Sequence, residues 1–325
     1  MCHTFKVWHI CAYSINHRCN YKYLSPVHQN IVYFIVGPTA VGKTDVALQL
    51  AERLGTAIIS ADSRQCYREM SIGTAKPTLV LLHKVKHYFI DEFPVTQALS
   101  AADFENLALQ YLDDIFKANN SAVVCGGTGL YIKALVEGLD EMPDIGAAII
   151  NHTEEEYKTK GLGWLQEAVQ QADPGFYETA EIQNPARLLR ALSFIRSTGR
   201  SINDFRSRVV KQRSFKVVLA GLELPRDLLY ERINSRVDQM MAHGLLSEVQ
   251  GLLPYRQLKT LQTVGYTELF DYLEGNCSLE EAVIKIKQHT RNYAKRQLTW
   301  FKKDKNIVWF RADDKNLVEK ILAMK

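Results

Sequence analysis

The stretch with the clearest chemical pattern is Gly37–Thr44, which reads Gly-Pro-Thr-Ala-Val-Gly-Lys-Thr. It matches the phosphate-binding pattern G-x-x-x-x-G-K-[ST] in full. Glycines let successive backbone N–H groups point into one concavity, and a helix starting there adds positive potential. Lys43 supplies a point charge for phosphate oxygens, and the Thr44 hydroxyl is a ligand for Mg²⁺. We therefore predict that eight residues bind a diphosphate or triphosphate: Gly37, Pro38, Thr39, Ala40, Val41, Gly42, Lys43 and Thr44.

An aspartate follows the next apolar segment, Ala57–Ser60. The carboxyl ends of strands in a doubly wound sheet face the ligand crevice, so Asp62 is expected to face the phosphate loop. There it would act as a general base or hold magnesium through water. The competing interpretation is a helix cap, which is the commoner role of aspartate in such a loop. No other apolar strand ends in the aspartate of a standard ATPase, which favours a small transferase over a motor ATPase.

Three glycines surround Thr128 directly after a third apolar strand, Ala122–Cys125. Glycines at a strand end suggest that a ligand approaches the backbone closely. A tight strand-to-helix turn without any ligand is the alternative.

Two pairs of arginines have helical spacing. Arg187 and Arg190 lie three apart on a predicted helix that begins after Asn184, and Arg232 and Arg236 lie four apart on another. Residues at these spacings share one helix face, so each pair is predicted to point in the same direction from its helix.

The elements that must position these residues indicate the α/β class. Apolar runs such as Ile31–Val36 and Phe215–Ala220 suit buried parallel strands and alternate with amphipathic helices. Helical segments interrupt this alternation from about 142 to 214. We predict a P-loop NTPase-like doubly wound parallel sheet, formed by residues 31–141 and 215–325, with an inserted all-helical subdomain at 142–214.

Composition agrees with a globular protein. Of 325 residues, 46% are apolar and 23% are charged, which excludes disordered, collagen-like and rod-like chains. No apolar stretch reaches the roughly 18 residues of a membrane span. The net charge of +4 is mild, but basic residues concentrate at 201–216 and 285–305. These clusters suit polyphosphate or RNA, although solvated helix faces explain either one alone. Trp300, within the second cluster, would stack on a base or pack in the core.

Two further features carry little functional information. Six cysteines are scattered without a C-x-x-C pair, so no zinc site is predicted. Residues 1–30 lack acidic residues and show no helix or strand period. We predict a poorly ordered extension there.

Together these segments resemble the tRNA dimethylallyltransferases, enzymes that prenylate adenosine 37 beside the anticodon. The resemblance covers about residues 31–310, and its Asp-Ser-x-Gln, Gly-Gly-Thr and Lys-Arg-Gln-x-Thr-Trp stretches are not general features of P-loop proteins. The motifs are GPTAVGKT at 37–44, ISADSRQCYREMSIGTAKP at 59–77, SAADF at 100–104, CGGTGLYIKAL at 125–135, NPARLLRAL at 184–192, TVGYTEL at 263–269 and RNYAKRQLTWF at 291–301.

The resemblance implies a set of roles. Dimethylallyl diphosphate, with Mg²⁺, replaces a nucleotide in the phosphate loop. Asp62 takes the proton from the adenine N6 amine, Thr128 contacts the leaving oxygen, and Arg236 neutralises the departing charge. The partner is tRNA, bound through its anticodon stem-loop with the target base turned out. The implied tRNA contacts are Asp62, Ser63, Arg64, Gln65, Thr128, Arg187 and Arg190. We expect a cytoplasmic monomer.

Three other functions stay open at this point. The phosphate loop alone fits a small-molecule kinase, which has no use for two basic regions. An isopentenyltransferase acting on free AMP or ADP would not need the helical insert. A non-enzymatic RNA-binding P-loop protein would have no need of Asp62.

Overall fold

A computed structural model describes residues 29–207 and 209–324, so almost all of the predicted extension at 1–30 lies outside the described residues. One six-stranded sheet contains β1 (Ile31–Val36), β2 (Ile58–Ser60), β3 (His87–Tyr88), β4 (Ser121–Gly126), β5 (Lys216–Glu223) and β6 (Val308–Arg311). The strand order is β3-β2-β4-β1-β5-β6, and every neighbouring pair is parallel. The predicted parallel α/β core is confirmed.

Helices cover both faces of the sheet. Alternate residues of the central strand β1 therefore pack in two separate apolar clusters. Val32, Phe34 and Val36 pack in one cluster, and Tyr33 and Ile35 pack in the other. All five are fully buried. A strand that is buried on both faces is apolar along its whole length, which explains why this segment can be recognised as a strand from the sequence.

Twelve α-helices are described: α1 (Lys43–Leu54), α2 (Leu79–Lys84), α3 (Ala101–Phe116), α4 (Gly129–Glu137), α5 (Ala147–Ala172), α6 (Pro174–Thr179), α7 (Pro185–Thr198), α8 (Arg226–Ala242), α9 (Leu245–Leu252), α10 (Tyr266–Leu273), α11 (Leu279–Phe301) and α12 (Leu317–Leu322). Short 3-10 turns lie at Ile202–Phe205 and Leu253–Tyr255. Within the described part of the chain, no helix has the length and apolar character needed to cross a membrane.

Helix ends follow the capping signals in the sequence. Ser100 accepts the N–H of Asp103, whose carboxylate accepts the N–H of Ser100, so a capping box opens α3. The same reciprocal pair, Ser278 and Glu281, opens α11. Each box satisfies backbone donors that a helix start leaves unpaired.

The segment between β4 and β5 is helical and has a core of its own. Side chains of α5, α6, α7 and the following turn form a third apolar cluster that includes Leu165, Leu188 and Phe194. Within helix α5, Gly161, with φ +79°, interrupts the helical conformation. Glycine adopts this left-handed conformation without a steric penalty.

The return from this segment to the sheet uses two residues of the predicted basic cluster at 201–216. Arg213 is 10% exposed and donates to the Glu105 carboxylate at 2.8 Å and to the carbonyl of Ala134 at 2.7 Å. Lys211 lies 3.7 Å from the same carboxylate. For Arg213, both predicted interpretations are therefore wrong, since it is neither a solvated residue nor an exposed RNA contact.

Candidate active site

The predicted phosphate-binding loop connects β1 to α1 in a tightly curled conformation. Gly37 has φ +146°, and a Cβ there would lie 2.6 Å from the carbonyl oxygen of Leu222 in β5. Gly42, with φ +106°, directly precedes α1. Ala40 also has a positive φ, +63°, which is unfavourable for alanine. Sequence, strand and helix thus combine in the arrangement that turns backbone N–H groups toward an anion.

Lys43 folds back over this loop. Its Nζ donates to the carbonyl oxygen of Pro38 at 2.7 Å. Burial lowers the pKa of Lys43 to about 8; the neighbouring Cys125 and Asp62 raise this pKa, and Arg236 lowers it. An ammonium group destabilised by burial gains strongly from an anionic partner, so Lys43 is suited to hold a diphosphate.

The oxygen donors at this loop fit Mg²⁺ shared with a diphosphate. Thr44, in the first turn of α1, lines a small cavity with Ser60 and Cys125 at the ends of β2 and β4. Among residues 29–207 and 209–324, no three His, Cys, Asp or Glu side chains form a cage for a metal. Mg²⁺ is commonly bound by one or two protein oxygens, with waters and substrate phosphates completing its coordination. A single hydroxyl ligand is therefore a suitable protein contribution.

Asp62 follows β2, as predicted, and one of its oxygens closes the turn there. Oδ1 accepts the N–H groups of Arg64 at 2.9 Å and Gln65 at 3.3 Å. The side chain also lines a cavity shared with Thr39 of the phosphate loop. The predicted alternative of a helix cap is wrong, because a turn and not a helix follows Asp62; closing this turn is compatible with a chemical role of the same carboxylate.

Thr128 joins the loops that follow β2 and β4. Its Oγ1 accepts the N–H of Ser63 at 3.1 Å, and its own N–H donates to the carbonyl of Ala61 at 3.2 Å. Since Oγ1 accepts from the backbone, the hydroxyl proton can be donated to an oxygen of a bound substrate.

The glycines before Thr128 make room for protein atoms. A Cβ at Gly126 would lie 2.1 Å from the carbonyl oxygen of Ala61, and one at Gly127 would lie 2.2 Å from Nε2 of Gln297. The sequence suggests close approach of a ligand here, whereas the close neighbours in the structure are backbone and side-chain atoms. Packing of the two loops explains both glycines.

Gly129 has the same relation to Trp300. A Cβ at Gly129 would lie 2.2 Å from the indole ring, so the ring packs directly on the backbone after Thr128. Trp300 nevertheless remains 41% exposed. It therefore packs against the protein on one side and leaves part of its surface accessible.

Helix α8 lays its two spaced arginines against the phosphate loop. Arg236 Nη1 lies 3.4 Å from Thr39 Oγ1, and Arg232 Nη1 lies 3.4 Å from the carbonyl oxygen of Val41. Burial lowers the pKa of Arg236, and the Asp62 carboxylate raises it. The four-residue spacing thus places positive charge on the outer side of the loop, as the sequence predicts.

A cavity of about 260 Å³ joins these groups. Thr39, Asp62 and Arg236 contribute polar atoms to its lining. Apolar side chains from α8 and neighbouring elements supply much of the remaining wall: Ile233, Val237, Met240, Leu245, Val264 and Ile286. A phosphate-binding loop beside an apolar wall suits a ligand with a diphosphate and an apolar chain.

Arg64 and Gln65, both in the predicted tRNA-binding turn, differ in whether their side chains are hydrogen-bonded within the protein. Arg64 lines the cavity, and its Nε is buried with no hydrogen-bond partner among the residues that the structure describes. The amide of Gln65 is engaged inside the protein: it accepts from Ser60 Oγ at 3.0 Å and donates to the carbonyl of Thr74 at 3.1 Å. Arg64 thus has a donor to offer a substrate, whereas Gln65 holds the turn together.

Arg187 and Arg190 lie elsewhere, exposed on α7 in the helical segment. Asn184 caps this helix by accepting the N–H of Arg187 at 3.4 Å, as its position predicts. The Arg187 guanidinium lies 3.7 Å from the Glu181 carboxylate, and both side chains are exposed. A contact this open leaves the arginine accessible to an anionic partner.

Sequence reasoning missed Glu248, which fixes one wall of the cavity. Its carboxylate accepts the N–H groups of Ser71 at 2.9 Å, Ile72 at 2.7 Å and Gly73 at 3.0 Å. It also accepts the hydroxyl proton of Tyr266 at 2.6 Å. Gly73 is 175 positions earlier in the chain, so local sequence carries no signal for this contact. Gln297 stands in the RNYAKRQLTWF motif, but its contacts with Thr39 and Gly127 could not be predicted for the same reason.

Comparison with known proteins agrees with this geometry. A family model described as IPP transferase matches residues 65–304. The tRNA dimethylallyltransferase of Christiangramia forsetii is 43% identical over 294 residues, covering 90% of this chain and 97% of that protein. This chain belongs to the IPP transferase family. The IPP transferase match begins at Gln65 and includes the helical segment and the whole of α11.

Solved structures of related transferases have the same fold as this chain. The crystal structure of the tRNA isopentenylpyrophosphate transferase from Bacillus halodurans is 37% identical, with a TM-score of 0.66, and the match covers 91% of this chain and 94% of that one. A eukaryotic dimethylallyltransferase acting on tRNA shares the fold at 22% identity, with a TM-score of 0.72 and coverage of 91% and 77%. These relatives favour neither the kinase interpretation nor the free-nucleotide one.

Proposed function

We propose that this protein transfers a dimethylallyl group from dimethylallyl diphosphate to the N6 amine of adenosine 37 in tRNA. The C–O bond to the diphosphate breaks, the N6–C bond forms, and pyrophosphate leaves. The amine loses one proton in the same reaction.

The observation that carries this proposal is the lining of the 260 Å³ cavity. Thr39 and Arg236 offer hydrogen-bond donors to a diphosphate, and apolar side chains of α8 and neighbouring elements form one part of the wall beyond them. A short branched hydrocarbon gains free energy by leaving water for such a wall. A phosphoryl acceptor, by contrast, would need polar partners at that position.

Stabilising the leaving group is the main catalytic task, because an exocyclic adenine amine is a weak nucleophile. Negative charge builds on the pyrophosphate as the C–O bond breaks. The loop N–H groups, Lys43 and Arg236 are oriented before the reaction and stabilise this charge where it develops. The Thr128 hydroxyl, held by Ser63 N–H, donates to the oxygen that departs.

Asp62 accepts the proton of the N6 amine. Its Oδ1 is fixed by the N–H groups of Arg64 and Gln65, so the carboxylate has a defined direction in the cavity. General-base catalysis needs a carboxylate within hydrogen-bond reach of the amine. The target base reaches it by turning out of the anticodon loop.

Thr44 would hold Mg²⁺, which neutralises part of the diphosphate charge when it is bound. The tRNA contacts are assigned to Asp62, Ser63 and Arg64 in the turn that Gln65 holds together, to Thr128, and to Arg187 and Arg190 on α7. These follow from family membership and from the exposure of the α7 arginines. We further propose that a cytoplasmic monomer binds the anticodon stem-loop, with the helical subdomain at 142–214 on the tRNA side.

The test uses two labels and three acceptors. Dimethylallyl diphosphate labelled in the prenyl group and ATP labelled in the γ-phosphate are each incubated with the protein and Mg²⁺. The acceptors are unmodified tRNA, the same tRNA with guanosine at position 37, and free AMP. Prenyl label should enter only the first. Label in AMP would assign a free-nucleotide enzyme, and phosphate transfer from ATP would assign a kinase.

A further inference from the structure

Gln297 lies in the last two turns of α11 and joins the two loops that carry the proposed reacting groups. The N–H of Thr39 donates to its Oε1 at 2.8 Å, and its Nε2 donates to the carbonyl oxygen of Gly127 at 2.8 Å. The residue is 6% exposed. One buried amide therefore connects the phosphate loop to the loop that contains Thr128.

These two contacts require an amide. A carboxamide offers an acceptor oxygen and an NH₂ donor on one group, whereas a carboxylate offers acceptors alone. A glutamate at 297 would set a carboxylate oxygen against the carbonyl of Gly127. An apolar side chain of similar length would leave both buried backbone groups without a partner, which is unfavourable.

The surrounding backbone is shaped to admit this amide. Because a Cβ at Gly127 would lie 2.2 Å from Nε2, glycine there is a condition of the contact. On the other loop, the N–H of Thr39 is held by Gln297 while its hydroxyl lies 3.4 Å from Arg236 Nη1. Gln297 thus determines how Thr39 is oriented toward the arginine.

The connected loops carry the two halves of the reaction. Thr39 and Arg236 belong to the diphosphate side, and Thr128 is tied through Ser63 to the turn that bears Asp62. We infer that Gln297 is a positioning residue, which fixes the separation between the diphosphate-binding loop and the loop on the acceptor side. This inference rests on the proposed prenyl transfer. Gln297 acts without touching either substrate.

Three variants test the inference. Gln297→Met removes both hydrogen bonds, and Gln297→Glu keeps the acceptor but removes the donor. The matched control is Thr56→Val, because Thr56 is 8% exposed and donates to the carbonyl of Ser121 at 2.5 Å, at the start of β2 and β4 and so at the opposite edge of the sheet. Steady-state kcat and KM for dimethylallyl diphosphate and for tRNA are measured, together with urea unfolding.

We expect both Gln297 variants to lose about 10²-fold in kcat, the scale for misplacing reacting groups by about 1 Å. KM for the diphosphate should rise, and KM for tRNA should change less, because the α7 contacts are untouched. Thr56→Val should lose stability and keep its kcat. The activity of Gln297→Glu relative to wild type should increase as pH falls, because a protonated carboxyl group regains a donor. The ratio for Gln297→Met should stay constant.

Two results would overturn the inference. One is kcat and diphosphate KM values for folded Gln297 variants that match those of Thr56→Val. The other is a loss of activity that only follows the loss of stability, with no pH-dependent recovery in Gln297→Glu. Wild-type protein that fails to prenylate tRNA would refute the proposed function instead. In that case the affinity for inorganic pyrophosphate, measured by titration, still reports on the phosphate loop. Gln297→Met should bind pyrophosphate more weakly than wild type does.

Discussion

At the scale of single residues, Asp62 combines a structural and a chemical task. Its Oδ1 closes the turn after β2 by accepting two backbone N–H groups. Asparagine can accept the same two bonds through its carbonyl oxygen and caps as well as aspartate. What asparagine lacks is the ability to take a proton at neutral pH. The two tasks can therefore be separated by one substitution.

Asp62→Asn should lower the single-turnover rate of prenyl transfer by about 10²–10⁴, the usual scale for loss of a general base. Binding of tRNA and of dimethylallyl diphosphate should change far less, because the turn is retained. The rate is measured at saturating tRNA over a magnesium titration. Recovery at high Mg²⁺ would indicate a metal role instead, and a near wild-type rate would contradict any chemical role for Asp62.

Lys43 makes diphosphate binding sensitive to pH. Burial lowers the pKa of Lys43 to about 8, so the free protein loses this positive charge as pH rises through that value. The neutral amine attracts the diphosphate less, and kcat/KM for the prenyl donor should fall on the alkaline side of about pH 8. Lys43→Arg stays charged across this range. Its profile should lack the alkaline fall, although its maximum is lower. Identical profiles for the two proteins would assign the titration to another group.

Whether a site residue can be identified from the sequence depends on how close its partners lie along the chain. Lys43 and Thr44 belong to a contiguous motif, and Asp62 stands where a strand ends, so the sequence shows all three. Glu248 and Gln297 act on backbone groups that are distant in the chain, and nothing near them in the sequence indicates those contacts. Long-range hydrogen bonds to backbone are thus the part of the site that required the structure.

At the scale of elements, strong signals were read correctly and weak ones were missed. The buried strand β1 and the capped helices α3 and α11 have apolar periods or capping boxes. The two-residue strand β3 and the six-residue helix α2 are too short for a period to appear. Helix α5 is a different case: Gly161 has non-helical φ and ψ angles, yet the helix continues beyond it. Tertiary packing decides these cases.

Helix α7 is the element that carries exposed arginines away from the cavity. Arg187→Glu with Arg190→Glu should weaken tRNA binding and reduce the salt slope by about one unit for each lost phosphate contact. KM for dimethylallyl diphosphate should not change, because neither residue lines the cavity.

The control for this pair is Lys117→Glu. Lys117 is exposed and lies just before β4, at the edge of the sheet opposite the phosphate loop. Binding of tRNA is measured by filter retention from low to high salt. Equal losses in the control and the α7 variant would mean that net charge matters and that α7 has no specific contact.

At the scale of the whole molecule, the proposed reacting groups lie at one edge of the sheet. A buried ion pair holds the end of the helical segment. The carboxyl ends of β1, β2 and β4 lead into the phosphate loop, the Asp62 turn and the Thr128 loop, as expected for this class of sheet. The segment with the third core leaves after α4 and returns before β5. At the return, the Arg213 guanidinium meets Glu105 of α3, and both side chains are buried. This long-range pair fixes the end of the helical segment to α3 and α4 of the sheet core.

Arg213→Met should lower the free energy of unfolding by about 3 kcal/mol, because it removes the near partner of the buried Glu105 charge and leaves only the more distant Lys211 at 3.7 Å. The carbonyls of Ala134 and Leu135 lose a donor at the same time. The double variant Glu105→Gln with Arg213→Met removes the uncompensated charge and should regain much of the loss, while Leu139 N–H keeps an acceptor. Urea unfolding of the full chain measures both.

The matched control is Arg311→Met, which breaks an exposed ion pair with Asp313 at the end of the edge strand β6 and should change stability little. If the helical segment is held to the sheet by the buried pair, Arg213→Met should also weaken tRNA binding more than diphosphate binding, because only tRNA reaches across both cores. The double variant should recover tRNA affinity along with stability. Equal stability of the single and double variants would show that the uncompensated charge is not the cause. Unchanged tRNA affinity in a destabilised Arg213→Met protein would show that the junction stabilises the fold without orienting the segment.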